Sequence, residues 1–185
     1  MTTKIELINK LRSPDNKRTL QAVEELRLRG WLTDGSLHGI ALCNIQLQDA
    51  DLMQADLVGI DFHQASLEWA DLRNANLKST KLTRAKLSGA NLSQTILDFA
   101  NLYKANLRGA KNLTEDQLKR VKSLWGAIMP DGSTYDGRYN LPADIALAEW
   151  RNVHTSDPKA MAEFYGISLD DYLEGQKNAA ETTTA

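Results

Sequence analysis

A single cysteine, Cys43, leaves the 185-residue chain without the means to form an internal disulfide. That fits a reducing compartment without requiring one. A dominant charge is missing too: 22 Lys and Arg stand against 24 Asp and Glu, so nothing global marks a nucleic-acid or membrane binder. No apolar run approaches the ~20 residues that span a bilayer, and the opening MTTKIELINKLRSPDNK has none of signal-peptide length. The expectation is a cytoplasmic protein with no membrane association. Also lacking are a glycine-rich phosphate loop and any recognised catalytic motif. His38 and His154 stand apart from any nucleophile or carboxylate that could complete a triad. Cys43 and His63 are twenty residues apart, but two ligands fall short of the four a structural zinc needs. No catalytic, cofactor-binding or metal site is therefore expected, and the chain reads as a non-enzyme.

What is present is a ladder. From residue 37 to residue 107 every fifth position is apolar and large; fourteen of the fifteen are leucine and the other is Phe62. Two residues before most of them stands an alanine; Ile40, Ile45, Ile60, Thr80 and Thr95 are exceptions. A period of five fits neither the 3.6 of an α-helix nor the 2.0 of a flat strand. As a helix, the ladder would step round by roughly 140° each time and leave no coherent apolar face. A chain that turns a corner every five residues resolves this. Each side points its leucine and alanine inward and three residues outward, and backbone hydrogen bonds run to the coils above and below. The core then includes Leu52, Leu57, Phe62, Leu67, Leu72, Leu77, Leu87 and Leu92, with Ala55, Ala70, Ala75 and Ala90 beside them.

The segments ADLMQ, ADLVG, ADLRN, ANLKS, ANLSQ, ANLYK and ANLRG resemble the A-(D/N)-L-x-x signature of the pentapeptide-repeat family. That resemblance covers residues 35–112 and implies a mainly β fold, a right-handed quadrilateral parallel β-helix of about four coils. Such a rod is roughly 19 Å long at ~4.8 Å per coil. The isoleucines at early alanine positions and Thr95-Ile96 suggest wider or altered coils near both ends.

An open β-helix end exposes unpaired backbone groups, so covers are expected. Residues 1–34 read as a helical N-terminal cap, with a helix over 17–29 ended by Gly30 and Trp31 packing back on Leu26. Thr114 and Gln117 have capping-box spacing, and 113–126 reads as a C-terminal capping helix. Residues 127–185 form an extension: a small hairpin around Pro130-Asp131-Gly132, a helix from Leu141, a second begun by Asp157-Pro158 and stopped at Gly166, a short last helix over 168–175 and a frayed tail. The stretch around Ala162, Gly166 and Ile167 has the outline of a helix-turn-helix, but Asp170, Asp171 and Glu174 on its second helix would oppose a phosphate backbone.

The outward positions carry the functional information. Residues 36–72 hold six carboxylates and no Lys or Arg, whereas 73–112 hold eight Lys and Arg against Asp98 alone. The register gathers Lys81, Arg84, Tyr103 and Lys104 into a basic patch, and places Trp69 and Phe99 outward, where large aromatics suggest contact with a partner. The leading expectation is a protein-interaction scaffold with an unidentified protein partner, monomeric or dimeric through the C-terminal region. The quinolone-resistance members of the family imply an alternative, gyrase binding by an acidic DNA-mimicking surface. Eight basic and seven acidic residues along the repeat do not favour it. Weak nucleic-acid binding through the basic end is a further alternative, and nucleic acid is not the expected partner.

Overall fold

In the computed structural model, which describes residues 2–183 and the side chains of 2–180, the ladder of leucines forms the axis of a coil. All fifteen rungs are buried, from Leu37 to Leu107, and the alanines between them are buried with them. Single parallel bridges join each residue before a rung to its equivalent twenty residues on: Ala41 to Asp61 to Lys81 to Asn101, Gln46 to Ser66 to Lys86 to Asn106, Asp51 to Asp71 to Asn91 to Lys111, and Asp56 to Asn76 to Ile96. These four columns define sides 1 to 4 in that order. Backbone bonds of 2.7–3.0 Å run from coil to coil in the same register, as in Leu42 N–H to the Asp61 carbonyl and Asp61 N–H to the Ile40 carbonyl.

Why five residues suffice for a side follows from the corner. At fourteen of the fifteen corners the amide of the following alanine-position residue donates back to the rung's carbonyl, as from Ala50 to Leu47 at 3.2 Å. The residue two after the rung takes a positive φ, as the third residue of a type II turn does. All fifteen corners obey, eleven with side chains, Trp69, Arg84, Phe99 and Lys104 among them. The Asp or Asn before the rung supplies the other half of the turn. Its side chain accepts the amide two residues on, at 3.1 Å for Asp71 to Arg73 and 3.0 Å for Asn101 to Tyr103.

Two expectations change here. A side spends two of its five residues on the turn, so the β content is isolated bridges, and no continuous strand forms among the described residues. The isoleucines and Thr95 leave the register intact, since the twenty-residue bridges run through Ala41, Gln46 and Ile96 unchanged. Thr80 and Thr95 are accommodated in the core by donating their hydroxyls to the Leu77 and Leu72 carbonyls.

Helices α1 (Lys4–Leu11) and α2 (Asn16–Leu28) pack together below the first coil. α2 ends as its sequence suggests, with Gly30 at φ 71 and Trp31 N–H donating to the Leu26 carbonyl at 2.9 Å. Three side chains then cover the open edge: Arg12 donates to the Ala41 carbonyl, Asn16 to Gln48, and Arg27 to Asp51 and Met53. Those carbonyls face away from the coil above and would otherwise lack donors.

At the far end, the helix expected over 113–126 is only α3 (Glu115–Lys119), opened by a Thr114–Gln117 capping box. Gln117 donates to the Leu92 and Thr95 carbonyls and so plugs the last coil. The chain then resumes coiling: Ser123 bridges Asn101 and Ile128 bridges Asn106, with Leu124 and Ala127 buried in the same core. The spacing here is twenty-two, because α3 replaces one side and adds two residues.

A tight antiparallel bridge from Ile128 to Thr134 turns the chain into α4 (Pro142–Trp150), α5 (Pro158–Tyr165) and α6 (Leu169–Thr183). Residues 176–183, expected to fray, continue α6, with Gln176 bonded to Asn140 and to the Gly137 carbonyl; residues 184–185 lie outside the described residues. The extension seats on the last coil through Asp144. This buried carboxylate accepts from Ser123 Oγ at 2.5 Å, Leu124 N–H at 3.1 Å and Trp125 N–H at 3.3 Å.

Candidate interaction surface

The outer face of side 1 stacks its residues in two vertical columns, Cys43, His63, Thr83, Tyr103 and Trp125 in one, and Asn44, Gln64, Arg84, Lys104 and Gly126 in the other. Backbone bonds fix that order: Arg84 N–H donates to the Tyr103 carbonyl and Lys104 N–H to the Trp125 carbonyl, both at 2.9 Å. Tyr103 and Trp125 stack at 5.2 Å between ring centroids with 20° between planes. Lys104 lies over Trp125 at 5.0 Å and Arg151, just past α4, at 4.7 Å. Trp125 also donates its indole N–H to the Phe164 carbonyl at 3.1 Å, which fixes the ring against α5.

Arg84, Tyr103 and Lys104 therefore share one face. Lys81 sits on the same side but is drawn to Asp61 at 3.3 Å. Arg84, Lys104 and Arg151 are exposed and, among the described residues, have no carboxylate partner. Trp125, Arg151 and Phe164 were not among the expected surface residues. The two-residue insertion at α3 shifts Ser123-Leu124-Trp125-Gly126 out of the five-residue count, although it aligns with Asn101-Leu102-Tyr103-Lys104 once the insertion is allowed for.

The two outward aromatics are elsewhere and apart. Trp69 is on side 2 and 61% exposed; its ring lies flat over Gly89, where a Cβ would fall 2.2 Å from a ring carbon. Phe99 is on side 4, 64% exposed, and the extension does not cover it. The six candidate residues thus occupy three sides of the rod.

The acidic half of the rod is largely neutralised. Asp51 pairs with Arg27 at 2.8 Å, Asp61 with Lys81 at 3.3 Å, Asp71 with Arg73 at 2.6 Å and Glu68 with Lys86 at 4.0 Å, while Asp56 accepts from the His38 imidazole at 2.7 Å; in the basic half Asp98 pairs with Arg120 at 3.6 Å. The Arg73 guanidinium holds the Asp71 carboxyl below the usual carboxylate range. Of the seven repeat carboxylates, Asp49 has no ion pair among the described residues and Asp56 meets only the His38 imidazole, a cation only when protonated. Cys43 is exposed on its column, and partial desolvation of the thiol together with the neighbouring Asp61 pushes it up, away from the reactive thiolate. Among the described residues no three His, Cys, Asp or Glu come together as a metal site, and no helix is long and apolar enough to cross a membrane.

A rod of stacked twenty-residue coils with its ends covered and side chains displayed on regular columns has the architecture of a repeat solenoid. A family model described as pentapeptide repeats matches residues 42–78 and 75–111, with eight copies. This central segment belongs to the pentapeptide-repeat family. Among solved structures, the chain is similar to HetL, a pentapeptide repeat protein involved in heterocyst differentiation regulation from the cyanobacterium Nostoc sp. strain PCC 7120, at 42% identity over 51% of this chain and 43% of that one, TM-score 0.48. It is similar to a pentapeptide repeat protein from the Arabidopsis thaliana thylakoid lumen, at 28% identity over 50% of this chain and 60% of that one, TM-score 0.41. A third is Rfr23 from the cyanobacterium Cyanothece 51142, at 37% identity over 39% of this chain and 51% of that one, TM-score 0.38. The matches span between 43% and 60% of those proteins' own lengths. A comparison with curated proteins gave no match.

Proposed function

We propose that the chain is a right-handed, four-sided β-helical rod acting as a non-enzymatic scaffold that docks an acidic protein surface on side 1. The observation that carries this reading is the ledge of Arg84, Lys104 and Arg151 supported by the Tyr103–Trp125 stack. Lys104 and Arg151 lie over the rings and so lose little side-chain freedom when a partner arrives, while Arg84 stands on the neighbouring coil with its backbone fixed. Aromatic and arginine side chains on a rigid support are the groups that anchor interfaces. The raised thiol of Cys43 supports a binding role over a catalytic one. His38, read from the sequence as standing apart from any carboxylate, meets Asp56 at 2.7 Å, but no nucleophile is hydrogen-bonded to the pair among the described residues. The pairing of five of the seven repeat carboxylates with Lys or Arg weighs against DNA mimicry, which needs free negative charge along the rod.

The test is affinity capture at low salt with the wild-type chain and with an Arg84→Glu, Lys104→Glu, Arg151→Glu variant whose circular dichroism matches wild type. A stoichiometric protein partner that the variant loses is the expected result. Retention of every partner by the variant overturns the ledge as the docking surface. Steeply salt-dependent retention on single-stranded nucleic acid in place of protein would reassign it.

A further inference from the structure

The replacement of one side by α3 leaves a groove of about 770 Å³ beside Phe99, between side 4 and the segment that leads back into the coil. Its apolar lining is Phe99, Val121 and Pro142, and Ile96 nearby is 44% exposed. Around it stand Lys81, Lys119, Arg120 and Lys122; the first three face Asp61, Glu115 and Asp98 at 3.3, 3.9 and 3.6 Å, and Lys122 has no ion pair among the described residues. Phe99 sits at a corner with φ 60, the left-handed backbone region that L-residues with bulky side chains disfavour. An exposed phenylalanine in that conformation stabilises neither its own corner nor the core.

The complement of this groove is on the same chain. The face of α6 that meets the extension is marked by buried Tyr172 and Gly175. Its outer face carries Leu169 and Leu173 one helical turn apart, 39% and 47% exposed, and the adjoining stripe carries exposed Asp170 and Glu174 at the same spacing. An apolar ridge flanked by carboxylates therefore faces solvent on every copy, as does an apolar groove rimmed by cations. We infer that α6 of one copy seats its Leu169–Leu173 ridge in the Phe99 groove of a second copy, with Asp170 and Glu174 meeting Lys119 and Lys122. Ridge and groove are different surfaces, so the contact is heterologous and joins copies head to tail unless two copies exchange it reciprocally. The contact is small, which places it in the weak, salt-sensitive class. It is independent of the side 1 ledge.

Sedimentation velocity of the full chain over a concentration series tests this. Concentration-dependent association is expected, weakening at least about tenfold between about 0.05 and about 0.5 M salt. Phe99→Asp or Leu173→Asp should each leave a folded monomer. Two charge-reversed chains carry the decision, one with Lys119→Glu and Lys122→Glu, the other with Asp170→Lys and Glu174→Lys. Each alone should be monomeric, and their mixture should associate, which a misfolded variant could not do. A wild-type chain that stays monomeric throughout the series at low salt overturns the inference, as does a mixture that fails to associate. A monomer whose groove binds a titrated acidic, leucine-bearing peptide would assign the groove to another protein and overturn the second-copy reading.

Discussion

At the corners of the coil, an Asp or Asn side chain does what the backbone alone cannot, fixing the amide two residues on while the corner residue takes its positive φ. The same device appears just before the first rung. Asp34 accepts the Ser36 amide at 2.9 Å and also faces Lys4 at 3.1 Å. Hydrogen bonds from Ser36, first through its side chain and then its amide, together with the Lys4 ammonium, lower its pKa from the ordinary 3.8 to about 2. A carboxyl with a depressed folded-state pKa stabilises the fold fully above the unfolded value and loses that contribution as pH falls through the folded one. Stability should accordingly drop between pH 3.8 and about 2 by a component that Asp34→Asn removes, and urea titrations of both proteins across that window would measure it. Equal slopes in the two proteins would refute the assignment.

At the scale of elements, each end of the rod is closed by a different device, and the N-terminal one makes the sharper prediction. Arg27 alone supplies donors to two edge carbonyls and an ion pair to Asp51. Arg27→Ala should cost about 1–3 kcal/mol, seen as a lower urea midpoint, because two carbonyls lose their donor. Lys at the same position should recover only part of it, since a point charge cannot reproduce the fork. How far these elements were legible depends on whether their signals are local. The leucine period, the Gly30–Trp31 helix ending and the Thr114–Gln117 box are written in neighbouring residues, and the sequence displays them. The covering side chains were not legible, because Arg12, Asn16 and Arg27 meet carbonyls 24 to 32 residues away and carry no pattern of their own. The resumption of the coil at Ser123 was masked by the two residues that α3 adds. The charge separation along the sequence was legible as composition but misleading as surface, since pairing between coils and with α2 cancels most of the acidic half.

For the whole molecule, the bridges between coils repeat at a twenty-residue interval from Ala41–Asp61 to Lys86–Asn106 and Asn91–Lys111, and only those beyond α3 are spaced by twenty-two, while both closures touch the terminal coils. Removal of residues 62–81 should therefore leave both closures and all four columns aligned. The shortened chain should unfold in one transition with a smaller urea m-value, in proportion to the surface it no longer buries. Removal of eighteen residues from the same region should leave no folded species, because the rungs would fall out of column. Loss of cooperative unfolding in the twenty-residue deletion would show that the coils are not interchangeable. If they are, the distance between the two closures is quantised in steps of about 4.8 Å. The rod then behaves as a ruler whose graduations can be added or erased one at a time while the fittings at its ends stay the same.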